Sequence, residues 1–171
     1  PMTINDLIDN LPITLLRGNG DVNITELVED SRHASPSCFF IARPGTKTDG
    51  RKFIADAIKA GAVGVLAGEA ASIPDGVTAL VSDDVPMATA LLAERFFGHP
   101  TSHLKLIGIT GTNGKTTTAH LVHQLLNANG IRCGLIGTVQ IDDGAKVAPA
   151  ELTTPPAIEL SRLLRSMVDH G

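Results

Sequence analysis

The sequence has no tryptophan and no tyrosine, and its aromatic content is confined to five phenylalanines. Side chains on which successive bases could stack are missing, which argues against a single-strand nucleic-acid surface. Blocks of basic residues are missing too. Lys and Arg number 14 against 18 Asp and Glu, the formal net charge is -4, and no cluster could follow a phosphate backbone. Nucleic acid is therefore not an expected partner. The longest apolar runs are broken by Gly, polar or charged residues well before the ~20 residues that a membrane span requires, so no membrane partner is expected. The opening Pro1–Asp6 carries neither a basic segment nor an apolar one behind it, which makes the cytoplasm the expected compartment. Cysteine is nearly absent. Cys38 and Cys133 lie far apart and outside any C-x-x-C or Cys/His spacing, so two buried or half-buried thiols are expected rather than a disulfide or a zinc site.

What remains is a chain of 171 residues, 43% hydrophobic and 19% charged, enough for one domain or two small ones. Ile4, Leu7, Ile8 and Leu11 follow helical spacing behind a capping Thr3, and Pro12 closes the segment. Strands are expected near Ile24–Glu29 and over Cys38–Ala42, with the polar loop Asp30-Ser31-Arg32-His33 between them. Phe53, Ile54, Ala57 and Ile58 mark a helix ending at Gly61, and Val63–Ala67 and Val77–Val81 read as buried strands. A helix over Val85–Phe97 follows, capped by Asp83 or Asp84. Alternating strands and helices indicate an α/β layer architecture.

Gly98-His99-Pro100-Thr101-Ser102 combines a helix stop, a proline and small polar residues, and divides the chain into expected domains 1–99 and 100–171. In the second, Leu104–Ile109 has the pattern of a buried strand, Lys115–Asn129 that of a helix with Leu121, Val122, Leu125 and Leu126 on one face, and Ile131–Ile136 that of another strand. Together they spell a βαβ unit, the start of a parallel P-loop-type α/β domain. A hairpin around Asp143-Gly144 and a helix carrying Leu160, Leu163, Leu164, Met167 and Val168 complete it. The pattern stops after a helix where another strand is due, so the expectation is a piece of a longer chain. Such a piece would be mostly monomeric, with an open sheet edge inviting self-association.

Between Ile109 and the following helix lies Gly111-Thr112-Asn113-Gly114-Lys115-Thr116-Thr117. Glycines let successive N–H groups converge on phosphate oxygens, and a helix N-terminus adds about half a unit of positive charge. Lys115 would reach the terminal phosphates and the Thr116 hydroxyl would coordinate Mg²⁺. The loop departs from the strict G-x-x-x-x-G-K-[ST] form because Ile109 stands where the first glycine belongs. A dinucleotide fold is the rival reading. Glycines 108, 111 and 114 are spaced G-x-x-G-x-x-G, and Gly137-Thr138 stands where an NAD site would place an acidic residue, so it is rejected. His120 and His123, at i and i+3, read as a solvated or packed helix face. Thr154-Pro155 reads as a helix cap with a first-turn proline, and Ser31-Arg32 as a turn with a surface ion pair.

The segment Gly108-Ile109-Thr110-Gly111-Thr112-Asn113-Gly114-Lys115-Thr116-Thr117-Thr118 resembles the ATP loop of the Mur ligases, enzymes that extend the peptide of bacterial cell-wall precursors. Folylpolyglutamate synthases share that loop variant. Upstream, Asp30-Ser31-Arg32, Cys38-Phe39-Phe40-Ile41-Ala42-Arg43-Pro44-Gly45 and Asp49-Gly50 with Phe53-Ile54 resemble the N-terminal domain of the third- and fourth-step members. Gly134-Leu135-Ile136-Gly137-Thr138 followed by Leu152-Thr153-Thr154-Pro155 is similar to the third-step branch. Two positions depart from the family pattern: Leu152 replaces a frequent Asn, and Ser37 a usual glycine.

The resemblance implies an N-terminal UDP-binding domain followed by the start of a central ATP-binding domain. It places Ser31, Thr46, Lys47 and Thr48 near the uridine diphosphate, ATP on Gly111–Thr117, Mg²⁺ on Thr116, and Thr153 and Thr154 against the muramoyl-peptide. The implied reaction is ATP-dependent amide ligation, in which the third amino acid, lysine or meso-diaminopimelate, joins UDP-MurNAc-L-Ala-D-Glu through an acyl phosphate, with Lys115 and Thr116 as the catalytic groups. A later Glu, a carbamylated Lys, an adenine-contacting region and a C-terminal domain would lie beyond Gly171, so residues 1–171 alone are expected not to turn over. A small P-loop NTPase and a non-catalytic UDP-muramoyl-binding module are the alternatives. The first would bind ATP without a UDP-sugar, and the second the reverse.

Overall fold

The computed structural model describes residues 2–45, 49–150, 152 and 154–171. They fall into two compact units, residues 1–96 and 97–171.

The first unit is a layered α/β body. Its elements are β1 (Met2–Thr3), α1 (Ile4–Ile8), β2 (Thr14–Arg17), β3 (Asn23–Ile24), β4 (Glu26–Val28), β5 (Cys38–Ile41), α2 (Ile54–Lys59), β6 (Gly64–Ala67), β7 (Thr78–Val81) and α3 (Val85–Phe96). The main sheet runs β2-β7-β6-β5-β4, with β4 to β7 mutually parallel and β2 antiparallel at the β7 edge. Both faces of the parallel strands are covered, which is why Cys38-Phe39-Phe40-Ile41 is apolar at every position. Successive side chains alternate between faces. Phe40, Cys38, Val65, Ala67 and Ala79 join Ile54 and Ala57 of α2 in one core layer. On the other face a Cβ added at Gly64 would stand 2.8 Å from both Ile4 of α1 and the Phe39 ring, so only glycine fits that helix against the sheet.

Local chemistry fixes the helices. Thr3 caps α1 in a reciprocal box with Asp6, and Asp84 caps α3 by accepting from the Met87 amide at 2.9 Å. The C-terminal carbonyls of α1 are taken up by Arg95 of α3, which donates to Asp6 and Leu7 at 3.3 and 3.4 Å and to Asp9. Helix α1 ends at Ile8, leaving Leu11 outside it. Strand β2 has no counterpart in the sequence reading; it alternates exposed and half-buried residues over four positions and carries a bulge between Leu15 and Arg17.

The second unit holds α4 (Lys115–Ala128), β8 (Leu135–Ile136), β9 (Gln140–Asp142), β10 (Val147–Pro149) and α5 (Ala157–Asp169). The strands form an antiparallel sheet in the order β10-β9-β8, and the hairpin turns at Asp143-Gly144. Three expectations from the sequence do not hold in this unit. Leu104–Ile109 is not a strand: it pairs with no described residue, and Leu106 and Ile107 are 57% and 63% exposed. A strand exists through its ladder, and an apolar run without hydrogen-bonded neighbours has nothing to complete it. The following strand is confined to Leu135–Ile136, with Ile131 exposed, so no βαβ pairing forms among the described residues. The apolar face of α4 is likewise uncovered, with Leu121 and Leu125 at 61% and 65% exposure. Helix α5 begins at Ala157 with Pro156 at its N-cap, so Thr154 is not the cap; the fixed φ of the two prolines suits the entry to the first turn, and Thr154 stands exposed before it. Cys38 is buried and Cys133 half-buried, both as free thiols.

Candidate functional site

In the first unit the carboxyl ends of adjacent parallel strands meet, the edge at which open α/β sheets receive ligands. β4 leads into a 3₁₀ turn, Ser31–His33, whose N-cap Asp30 accepts from the Arg32 amide at 3.0 Å and from its guanidinium at 2.6 Å. Those hydrogen bonds hold the Asp30 carboxyl at about 2. Ser31 sits half-buried on this turn. β5 leads into the loop that contains Thr46, Lys47 and Thr48, which lie outside the described residues. Its base is closed by the Gly50 amide donating to the Arg43 carbonyl at 3.0 Å, and a Cβ at Gly50 would stand 2.7 Å from that oxygen. Two ion pairs cross from one strand end to the next, Arg43 to Glu29 at 3.5 Å and Arg51 to Glu69 at 3.7 Å, while Arg51 also pairs within its own turn with Asp49 at 2.6 Å. Being exposed, these pairs contribute little stability and serve to hold loop positions. A groove of about 480 Å³ lies at the opposite, amino edge between Arg17, Ala62 and Val77, and none of the candidate site residues lines it.

In the second unit Gly111–Thr117 leads directly into α4. Gly111 has φ +150° and Gly114 φ +77°; Gly114 is the N-cap, and the first helical bond runs from the Thr118 amide to its carbonyl at 2.9 Å. No side chain caps this helix, so its first-turn amides keep no side-chain acceptor. The loop is open: Gly111 to Lys115 are exposed, Thr116 is half-buried, and a Cβ at Gly114 would meet nothing within 4 Å. Lys115 Nζ folds back to donate to the Gly111 carbonyl, which holds the ammonium over the loop. Outward-facing amides, a lysine and a threonine hydroxyl form a donor set suited to a nucleotide phosphate chain with its cation.

The rest of the unit is registered against α4. Asn127 donates to the Cys133 carbonyl at 3.0 Å and accepts from its amide at 3.2 Å. Four residues back along the helix, His123 Nε2 lies 3.1 Å from Asp142 Oδ2, and Asp142 is the partner of Leu135. As the chain advances from Cys133 to Leu135 the matched helix position retreats from 127 to 123, so β8 runs back toward the glycine loop. β9 returns, and β10 runs back again, delivering Ala150 beside Val139. Lys115 lies ~12 Å from His123 along the helix, and Thr138 ~10 Å from Leu135 along the strand direction. Thr138 and Ala150 thus leave the sheet toward the end of the unit that holds the loop; Thr154 follows as an exposed residue, and Thr153 lies outside the described residues.

His123 takes the packed alternative expected for this helix face, and the structure adds Asp142 as its partner. The signal of that contact was invisible in the sequence because Asp142 lies 19 positions away on a hairpin whose register nothing local specifies. The neighbouring Asp143 accepts from Ser166 Oγ of α5 at 2.8 Å and from the Ala145 and Lys146 amides, which hold its carboxyl at about 2. Burial, and the nearby Asp142 charge, push the Cys133 thiol up. Among the described residues no group of three His, Cys, Asp or Glu could hold a metal ion, and no helix is long and apolar enough to cross a membrane.

Residues 23–103 match the model described as Mur ligase family, catalytic domain, and residues 109–171 match the Mur ligase middle domain. The chain belongs to the Mur ligase family. Among curated relatives it is 40% identical, over 99% of its length, to the UDP-N-acetylmuramoyl-L-alanyl-D-glutamate--2,6-diaminopimelate ligase of Geobacillus thermodenitrificans, and 44% identical over 98% to that of Chlorobaculum tepidum. It spans about a third of those relatives, 34% in each case. Among solved structures the fold is similar to that of a UDP-N-acetylmuramoyl-L-alanyl-D-glutamate--2,6-diaminopimelate ligase (TM-score 0.75, 23% identity, covering 99% of this chain and 34% of that one). It is also similar to MurF from Acinetobacter baumannii (TM-score 0.60, 21% identity, covering 97% and 33%). The Mur ligase match confirms the α/β class with its parallel-containing sheet, and the middle-domain match covers residues 109–171 despite the short ladders there.

Proposed function

We propose that the chain handles the nucleotide and the UDP-sugar in an ATP-dependent ligase that joins 2,6-diaminopimelate to UDP-MurNAc-L-Ala-D-Glu in peptidoglycan precursor synthesis in the cytoplasm. The observation that carries this reading is the open, uncapped Gly111–Thr117 loop at the head of α4, in a chain whose relatives are named for that ligation. Residues 1–99 are assigned to the UDP moiety and residues 100–171 to the beginning of the ATP-binding domain.

A carboxylate is a poor electrophile, and ATP with Mg²⁺ supplies the phosphoryl group that makes the D-Glu carboxyl an acyl donor. The residues of this chain supply position and charge. Backbone amides of Gly111 to Thr117 and the Lys115 ammonium would neutralise the phosphates, and the Thr116 hydroxyl would hold Mg²⁺. Ser31, with Thr46, Lys47 and Thr48 on the next loop, takes the uridine diphosphate. Thr153 and Thr154 take the muramoyl-peptide and align its carboxyl, so that binding replaces a chance encounter of two anions.

The test is a calorimetric titration of the 171-residue chain with UDP-MurNAc-L-Ala-D-Glu, compared with free UDP. Saturable binding, tighter than that of UDP, is expected. A folded chain that binds UDP-MurNAc-L-Ala-D-Glu no better than UDP would overturn the substrate assignment. In a steady-state phosphate-release assay the same chain is expected to show no turnover.

A further inference from the structure

We propose that His123 is a positioning residue: its hydrogen bond to Asp142 sets the axial register between the phosphate-loop helix and the hairpin that delivers Ala150. The inference rests on the functional reading above and adds to it a residue outside the loop and outside the family motifs. His123 lies two helical turns below Lys115, too far to touch a phosphate. Its side chain is 14% exposed and that of Asp142 20%, so the pair is largely withdrawn from water, where hydrogen bonds to a charged group are strong. An ionised carboxylate only accepts, so Nε2 of His123 carries the hydrogen.

The pair is one corner of a frame. Asn127 locks Cys133 through two hydrogen bonds, which fixes where β8 starts along α4. His123 locks Asp142, which fixes where β9 ends and so how far β10 carries the chain back. Asp143, next in sequence, is held by Ser166 and lies 3.2 Å, through its carbonyl, from His170 Nδ1, which ties the same turn to α5. Adjacent aspartates thus hold one imidazole from α4 and one from the residue that caps the C-terminus of α5. A slip of the hairpin by one residue would move Ala150, and with it the start of the chain that leads to the Thr153-Thr154 motif, by ~3.3 Å relative to the loop. A displacement of that size takes a reacting carboxylate out of line with a phosphate.

Two measurements on the 171-residue chain separate this from a general packing role, using His123→Leu and His123→Gln; the glutamine amide nitrogen falls near the position of imidazole Nε2 and restores the donor. Amide hydrogen exchange needs no ligand. His123→Leu is expected to speed exchange at Gly137 and Ala150 at least tenfold, and His123→Gln to return it to the wild-type rate. Unchanged exchange in the leucine variant, or no rescue by glutamine, would overturn the register claim whatever the ligands do. The second measurement is the factor by which Mg²⁺ with a non-hydrolysable ATP analogue changes the affinity for UDP-MurNAc-L-Ala-D-Glu. A wild-type factor of about fivefold or more should fall toward 1 in His123→Leu with the affinity for each ligand alone changed less than about twofold, and recover in His123→Gln. A wild-type chain that binds both ligands without coupling would overturn the proposed role. A wild-type chain that binds neither, with the exchange pattern as expected, would overturn the functional reading and leave the register standing.

Discussion

Gly114 and Gly108 offer a way to separate backbone handedness from steric room at the phosphate loop. A Cβ placed on either would meet nothing within 4 Å, so neither alanine variant can clash with protein. They differ in φ: Gly114 sits at +77°, where an L side chain crowds its own carbonyl, whereas Gly108 lies outside the left-handed range. That conformation costs an L-residue about 1–2 kcal/mol. Gly114 is the N-cap of α4, so in Gly114→Ala the strain falls on the bend that turns the loop amides toward a ligand. The conformation competent to bind becomes rarer by the corresponding factor, and apparent affinity for Mg²⁺-ATP should drop roughly 5- to 30-fold. Gly108→Ala should stay within about twofold of wild type. The assay is displacement of a fluorescent ATP analogue from the 171-residue chain, with a thermal melt of each variant to confirm folding. Equal losses in the two variants would refute the reasoning, because backbone handedness could not then be what the loop requires of Gly114.

Three other outcomes follow from particular residues. Ser37 holds φ +66°, in the left-handed region that favours glycine, so Ser37→Gly should raise the urea midpoint, with relief of about 1–2 kcal/mol partly offset by the ~0.4–1 kcal/mol that a more flexible unfolded chain costs. The Asp143 carboxyl is held at about 2 against an ordinary 3.8, so its contribution is present at neutral pH and lost as pH falls through the folded value. Asp143→Asn should therefore melt below wild type at pH 7, with the gap closing between pH 4 and pH 2 in a pH series of melts. Leu106, Ile107, Leu121 and Leu125 are each more than half exposed, so the chain should self-associate with rising concentration in light scattering, and Leu121→Gln with Leu125→Gln should reduce it.

The sequence was most legible where periodicity and covering agreed. Phe39-Phe40-Ile41 is apolar throughout because both faces of β5 are covered, and such a run reads as the buried strand it is. Leu104–Ile109 has the same signature and forms no ladder, since apolar content records a capacity for burial and not the presence of neighbours. β2 escaped notice for the opposite reason: Thr14-Leu15-Leu16-Arg17 buries no residue fully and is held by pairing with β7, a partner far along the chain. The glycine loop was legible because its chemistry is local, seven consecutive residues at a helix start. His123–Asp142 was not, because a contact between a helix face and a hairpin depends on a register that single residues do not announce.

The pairing of β2 with β7 has a consequence for how the molecule is made. Thr14 faces Val81, so an early strand finds its neighbour only after the whole parallel set has been synthesised. At ribosomal rates of about 5–20 residues per second, β2 waits for several seconds with its edge unsatisfied. The α4–hairpin frame closes within a short stretch of chain and needs no such delay. Nascent-chain pausing between residues 20 and 80 would therefore lengthen the exposure of the first unit far more than that of the second, and the early strand is where a chaperone would find its target.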